Sequence, residues 1–132
     1  MKKFMKLGAV SALSLAIGAS AAFAENIKIA FIDPLSGAFA STGTNGLHQF
    51  EFAVDHLVNE KGGVLGGTNM EMVGFDNKIS PKESLIQLQV AIDQGIHYVV
   101  QGNSSGVANA ITEAANKHNK RNPDHRVLFL NY

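Results

Sequence analysis

Apolar residues along this chain alternate between short unbroken runs and stripes at helical spacing. Ile27-Lys28-Ile29-Ala30-Phe31-Ile32 is an almost continuous apolar run, as a buried parallel strand demands. A polar stretch rich in Gly, Ser and Thr follows, Asp33 to Gly46, and reads as a loop. Leu47, Phe50, Val54, Leu57 and Val58 then recur on one face of a helix. Gly62-Gly63 stops that helix by supplying a left-handed cap, and Gly66-Gly67 makes a further turn. Met70 to Phe75 reads as a second strand, with Asp76-Asn77 as its solvated exit. Ser80-Pro81-Lys82-Glu83 starts a second helix: Ser80 caps, Pro81 suits the first position and Glu83 completes a capping box. Leu85, Leu88 and Ile92 give its buried stripe, and Gly95 ends it. Ile96 to Gln101 is a third strand, and Val107, Ile111, Ala114 and Ala115 mark a third helix. A polar connection holding the turn signal Asn122-Pro123 leads to a fourth strand, Arg126 to Asn131.

The order β-α-β-α-β-α-β predicts an α/β fold: a parallel sheet with helices on both faces. Ligands of such sheets bind beyond the carboxyl ends of the strands, where the strand order reverses. The loops 33–46, 76–80 and 102–106 are therefore the ones to inspect for a site.

Three lysines, Lys2, Lys3 and Lys6, precede an uncharged run from Leu7 to Ala22, and Ala22-Phe23-Ala24 fits a small-x-small cleavage pattern. Residues 1–24 thus read as a secretory signal peptide cut after Ala24, with a bacterial periplasm as the destination. The run is too short and too rich in Ala and Gly for a membrane anchor. Residues 25–132 are read as one incomplete domain, because a strand at the end of the chain leaves part of a sheet face without its cover. Such a fragment is expected to aggregate or to be partly molten. Without the leader, eight basic residues face eleven acidic ones, a net charge of about −3 that argues against nucleic acid. Cysteine is absent, so disulfides and thiolate chemistry play no part.

The most informative turn is Gly102-Asn103-Ser104-Ser105-Gly106. An apolar strand ends there and a helix begins, so backbone N–H groups and two hydroxyls converge at the positive end of a helix dipole. A ligand carboxylate suits that point. Helix capping by one Ser is the plain alternative, and both can hold at once. The same letters spell Gly-x-Ser-x-Gly, the form of a hydrolase nucleophile elbow with Ser104 as nucleophile. That chemistry needs a histidine within reach. His118 lies about 20 Å away at the far end of the same helix, and His125 at the opposite end of the fourth strand. Across the crevice, Phe39 either covers the apolar part of a ligand or tucks into the protein, and Thr42 offers a hydroxyl or serves the turn. The Gly spacing after the first strand does not match a dinucleotide-binding loop, no P-loop is present, and the five histidines form no metal-ligand cluster.

These residues carry a family resemblance. Ile27-Lys28-Ile29-Ala30 leading to Pro34-Leu35-Ser36-Gly37, Gly43, Val58-Asn59-Glu60-Lys61-Gly62-Gly63-Val64, Phe75-Asp76-Asn77, Ser80-Pro81-Lys82, Gly95-Ile96, Val99-Val100 and Ser104-Ser105-Gly106-Val107 occur in this order behind a signal peptide. Residues 25–132 resemble the amino-terminal lobe of periplasmic amino-acid-binding proteins of the branched-chain type. The resemblance implies a partial lobe of the type I periplasmic-binding-protein fold and a receptor for an ABC permease at the inner membrane. It implies a small-molecule ligand, an amino acid or similar carboxylate, with no cofactor, no metal, no catalysis and a monomeric full-length protein. Carried across, Ser104 or Ser105 holds the ligand carboxylate, with Gly106 beside them, and Thr42 and Phe39 line the cleft. The family's next contact falls just after the fourth strand. A sensory-receptor ectodomain of the same fold is the other non-enzymatic alternative.

Overall fold

The computed structural model describes residues 25–132. The expected signal peptide lies outside the described residues. Four parallel strands, β1 (Ile27–Asp33), β2 (Met70–Asp76), β3 (Tyr98–Gln101) and β4 (Leu128–Asn131), form one sheet in the order β2-β1-β3-β4. Three helices connect them: α1 (Ala40–Leu57), α2 (Pro81–Asp93) and α3 (Ser105–Arg121). The α/β fold is therefore the one expected, with the strand order reversing between β1 and β3. No helix among the described residues is long and apolar enough to cross a membrane.

The core lies between the sheet and the α2–α3 layer. Ala30, Ile32, Phe75 and Val99 meet Leu88 and Ala91 of α2 and Val107 and Ile111 of α3. On the other face Phe31, completely buried, packs its ring against Phe50 of α1 at a centroid distance of 5.7 Å. Helices thus cover both faces. On the α1 face the β3–β4 half stays open: Tyr98, Leu128, Leu130 and Tyr132 are each about half exposed.

Several local expectations need correction. Residues 40–46 are helical rather than loop, so α1 begins a full two turns before Leu47 and places Thr42 in its first turns. Gly43 and Gly46 explain the misreading. Both lie inside the helix because neighbours come too close for a side chain, not because a turn needs them. A Cβ on Gly43 would stand 1.9 Å from the Pro34 carbonyl oxygen. Leu57, expected in the buried stripe, is exposed at the end of α1. The inward face of α2 is Ser84, Leu88 and Ala91, while Leu85 stands at its margin. Ser80 caps α2 by accepting from the Glu83 N–H at 3.3 Å, but Glu83 does not return the bond; its carboxylate accepts from Gln87 instead.

Candidate functional site

Everything of chemical interest gathers at the carboxyl ends of β1 and β3. The sequence reading missed the centre of it. Asp33, the last residue of β1, is completely buried. Its Oδ2 accepts from the Gly102 N–H at 3.1 Å and from the Tyr132 hydroxyl at 2.8 Å. Its Oδ1 accepts from the Asn103 N–H at 3.2 Å and from the Gln101 side-chain amide at 3.4 Å. All four donors are neutral. The protein therefore fills the amide cradle behind the β3–α3 turn with a carboxylate of its own.

The anion-attracting point survives one step further along. Ser104 is the N-cap of α3, its hydroxyl accepting from the Val107 N–H at 3.3 Å. The plain capping role is thus real. Ser105 and Gly106 follow as the first two helical residues, both exposed. Their N–H groups make no hydrogen bond to another described residue, as the first turn of a helix requires. Beside Gly106 the space is open, with Ser104 Oγ at 3.8 Å the nearest atom to a notional Cβ. A ligand oxygen can therefore approach the backbone closely.

Three of the five expected residues, Ser104, Ser105 and Gly106, come together in this way. Thr42 is exposed on α1 and Phe39 on the 3-10 turn Gly37–Phe39. Among the described residues neither bonds to the start of α3. Phe39 instead lines a shallow groove of about 300 Å³ with Pro34, Ser36, Lys78 and Ile79, on the β1–β2 side of the crevice.

Asp76 and Asn77 organise that side. Asn77, expected as a solvated turn residue, is completely buried and donates to the Ile32 carbonyl at 3.0 Å. Asp76 Oδ1 accepts from the Leu35 N–H at 2.9 Å and the Lys78 N–H at 3.0 Å, and its Oδ2 accepts from the Ser36 hydroxyl. The Ile79 N–H is bound by Asn77 Oδ1 at 2.8 Å. These two side-chain turns hold Lys78 and Ile79 at positive φ (51° and 55°), which a β-branched residue resists. Burial alone would raise the Asp76 pKa, but the bonds from Ser36, Leu35 and Lys78 outweigh it and leave the carboxyl below its usual 3.8. A depressed pKa stabilises the fold above the unfolded value, and that gain disappears as pH falls through the folded one. Asp76→Asn is therefore expected to lower the melting temperature at pH 7, with the gap to the parent closing as pH falls below the usual 3.8 and through the lowered folded value. A gap that stays constant from pH 7 to pH 2.5 contradicts the tether.

Three of the five histidines serve the opposite edge, while His48 and His56 lie on α1. His118 Nε2 bonds the His125 carbonyl at 2.8 Å and His97 Nδ1 bonds the Arg126 carbonyl at 3.0 Å, pinning the entry to β4. None is placed to act on Ser104, and no three His, Cys, Asp or Glu residues among those described are grouped to hold a metal. The Ser104 hydroxyl is engaged as a helix cap.

Residues 26–128 match the family model described as periplasmic binding protein, and the chain belongs to that family, whose members are solute-binding proteins. The Leu/Ile/Val-binding protein homolog 4 of Brucella abortus (strain 2308) is 41% identical over 99% of this chain and 31% of its own length. The leucine-, isoleucine-, valine-, threonine- and alanine-binding protein of Brucella ovis, solved in a closed conformation, superposes with a TM-score of 0.70 at 38% identity. That match covers 82% of this chain and 27% of the other. The substrate-binding protein LivJ of Streptococcus pneumoniae, solved with isoleucine, gives a TM-score of 0.62 at 26% identity over 80% of this chain and 28% of its own. The chain spans about a third of the length of the Brucella relatives that it matches at 41% identity.

Proposed function

We propose that residues 25–132 are the amino-terminal lobe of a periplasmic receptor that delivers a small amino acid or related carboxylate to an ABC permease. The observation that carries this reading is the free first turn of α3, where Ser105 and Gly106 offer two N–H groups and a hydroxyl at the strand-order reversal of the sheet. The names of the Brucella and Streptococcus relatives point to aliphatic amino acids as ligands. The lobe presents its donors to the ligand's acid group, and a facing lobe closes over it because the closed state makes more contacts with the ligand. Residues 1–24 serve as the export leader, the full-length protein acts as a monomer, and no bond is made or broken in the ligand.

Ser104→Ala combined with Ser105→Ala in the full-length protein is expected to weaken leucine binding by about 1.5–3 kcal/mol, the usual worth of hydrogen bonds to a charged group. Because Ser104 also caps α3, Ser105→Ala alone should keep the melting temperature and still lower affinity. Calorimetric titration decides it: unchanged affinity in both variants removes the site. Ester hydrolysis that Ser104→Ala abolishes would instead establish the hydrolase reading.

A further inference from the structure

The geometry points to Gln101 as a positioning residue: through the Ser104 carbonyl it aims the Ser105 N–H at the ligand carboxylate. This rests on the solute-binding reading above. Gln101 ends β3 and is completely buried, an uncommon place for a long polar amide. Both ends of that amide are engaged. Nε2 donates to the Ser104 carbonyl at 3.3 Å and to Asp33 Oδ1 at 3.4 Å, one hydrogen for each acceptor. Oε1 accepts from Asn131 Nδ2 at 3.3 Å. The side chain thus joins the ends of β1 and β4 to the cap of α3.

The Ser104 carbonyl and the Ser105 N–H belong to one planar peptide group and point in opposite directions. Holding the oxygen therefore sets the line along which the N–H points. The same bond polarises the peptide and makes that N–H a better donor. The turn before it is fixed from β1 as well, because Asp33 takes the Gly102 and Asn103 N–H groups. Yet none of the three partners depends on the Gln101 side chain for its hydrogen bonding. The Ser104 carbonyl also accepts from the Ala108 N–H at 2.9 Å. Asp33 has the Gly102, Asn103 and Tyr132 donors besides, and Asn131 Nδ2 also reaches the Gln101 backbone carbonyl at 2.6 Å. Plain capping of α3 needs no buried glutamine either, since the Ser104 hydroxyl already supplies the cap. What Gln101 adds is direction: it ties the first free peptide of α3 to the sheet. Gln101 does not touch the ligand; it acts through Ser104.

Gln101→Met keeps the length of the side chain and removes both donors. In the full-length protein it should fold, because each former partner retains another bond, and it should weaken leucine binding by about threefold to tenfold. Calorimetric titration well below the melting temperature measures this in the folded protein, where a merely structural role leaves affinity unchanged. A second measurement needs no variant. In the amide spectrum of the full-length parent, saturating leucine should move the Ser105 backbone resonance and the Gln101 side-chain NH₂ together, since the two groups share the Ser104–Ser105 peptide. That measurement carries the test if Gln101→Met does not fold. Unchanged leucine affinity in folded Gln101→Met overturns the proposal and leaves the receptor reading intact. So does a parent spectrum in which leucine moves Ser105 and not the Gln101 NH₂. Leucine binding that leaves Ser105 unmoved overturns the site and the proposal together. A parent protein that binds none of leucine, isoleucine, valine, threonine and alanine overturns the receptor reading, and the proposal with it.

Discussion

Asp33→Ala is expected to lower the unfolding free energy by about 3–5 kcal/mol, among the largest effects of any single change in residues 25–132. The carboxylate is completely buried and accepts from two peptide N–H groups, a phenol and an amide. Removing it takes the acceptor from all four donors, of which the Gln101 amide is completely buried and the others partly so, and each orphan that stays buried costs about 1–3 kcal/mol. The donors share the loss by relaxing, so the costs do not add in full. Asn is no remedy at this position. Each oxygen of Asp33 serves one peptide N–H and one side-chain donor, so either orientation of an Asn amide points its NH₂ at a peptide N–H. Asp33→Asn should therefore fall between the parent and Asp33→Ala rather than match the parent. Urea unfolding followed by circular dichroism measures both. A midpoint for Asp33→Ala that corresponds to less than 1 kcal/mol of destabilisation would mean that this carboxylate is solvated.

Asp33 was invisible in the sequence for a physical reason. Its donors lie 68 to 99 residues away, and two of them are backbone amides that no letter encodes. A lone Asp after an apolar run reads as the first residue of a loop. The start of α3 was legible because capping is local: Ser104, its N–H partner at Val107 and the strand before them are neighbours in the chain. The succession of strands and helices and the helix covers were legible for the same kind of reason, since apolar runs and stripes state their own periods, whereas the sheet order β2-β1-β3-β4 was not. Asn77 was misread because the Asn of a solvated turn and the Asn of a buried one are the same letter, and only the Ile32 carbonyl 45 residues away tells them apart. The sequence left open whether Phe39 covers a ligand or tucks into the protein; it stands next to Lys78 and Ile79, where the tether through Asp76 holds that loop.

The first two turns of α1 were lost to the same kind of competition, and one substitution exposes it. By helix propensity, Gly43→Ala inside a helix should gain roughly 1 kcal/mol. The packing says otherwise. A Cβ there meets the Pro34 carbonyl oxygen at 1.9 Å and its carbon at 2.7 Å. These are backbone atoms on a buried residue, not the end of a flexible side chain, so α1 must lift away from the β1–α1 loop by more than an ångström. Overpacking of that kind costs about 1–3 kcal/mol and more where the backbone is the obstacle, so we expect a net loss of about 3 kcal/mol or above. Gly106→Ala is the matched control. It sits in the first turn of α3 with open space around it and should stabilise by about 0.5–1 kcal/mol. The same chemical change thus carries opposite signs at two helix starts, and thermal melts of the two variants read it directly. Were Gly43→Ala neutral or stabilising, Pro34 would not touch that helix, and α1 would begin near Leu47, where the apolar spacing alone puts it.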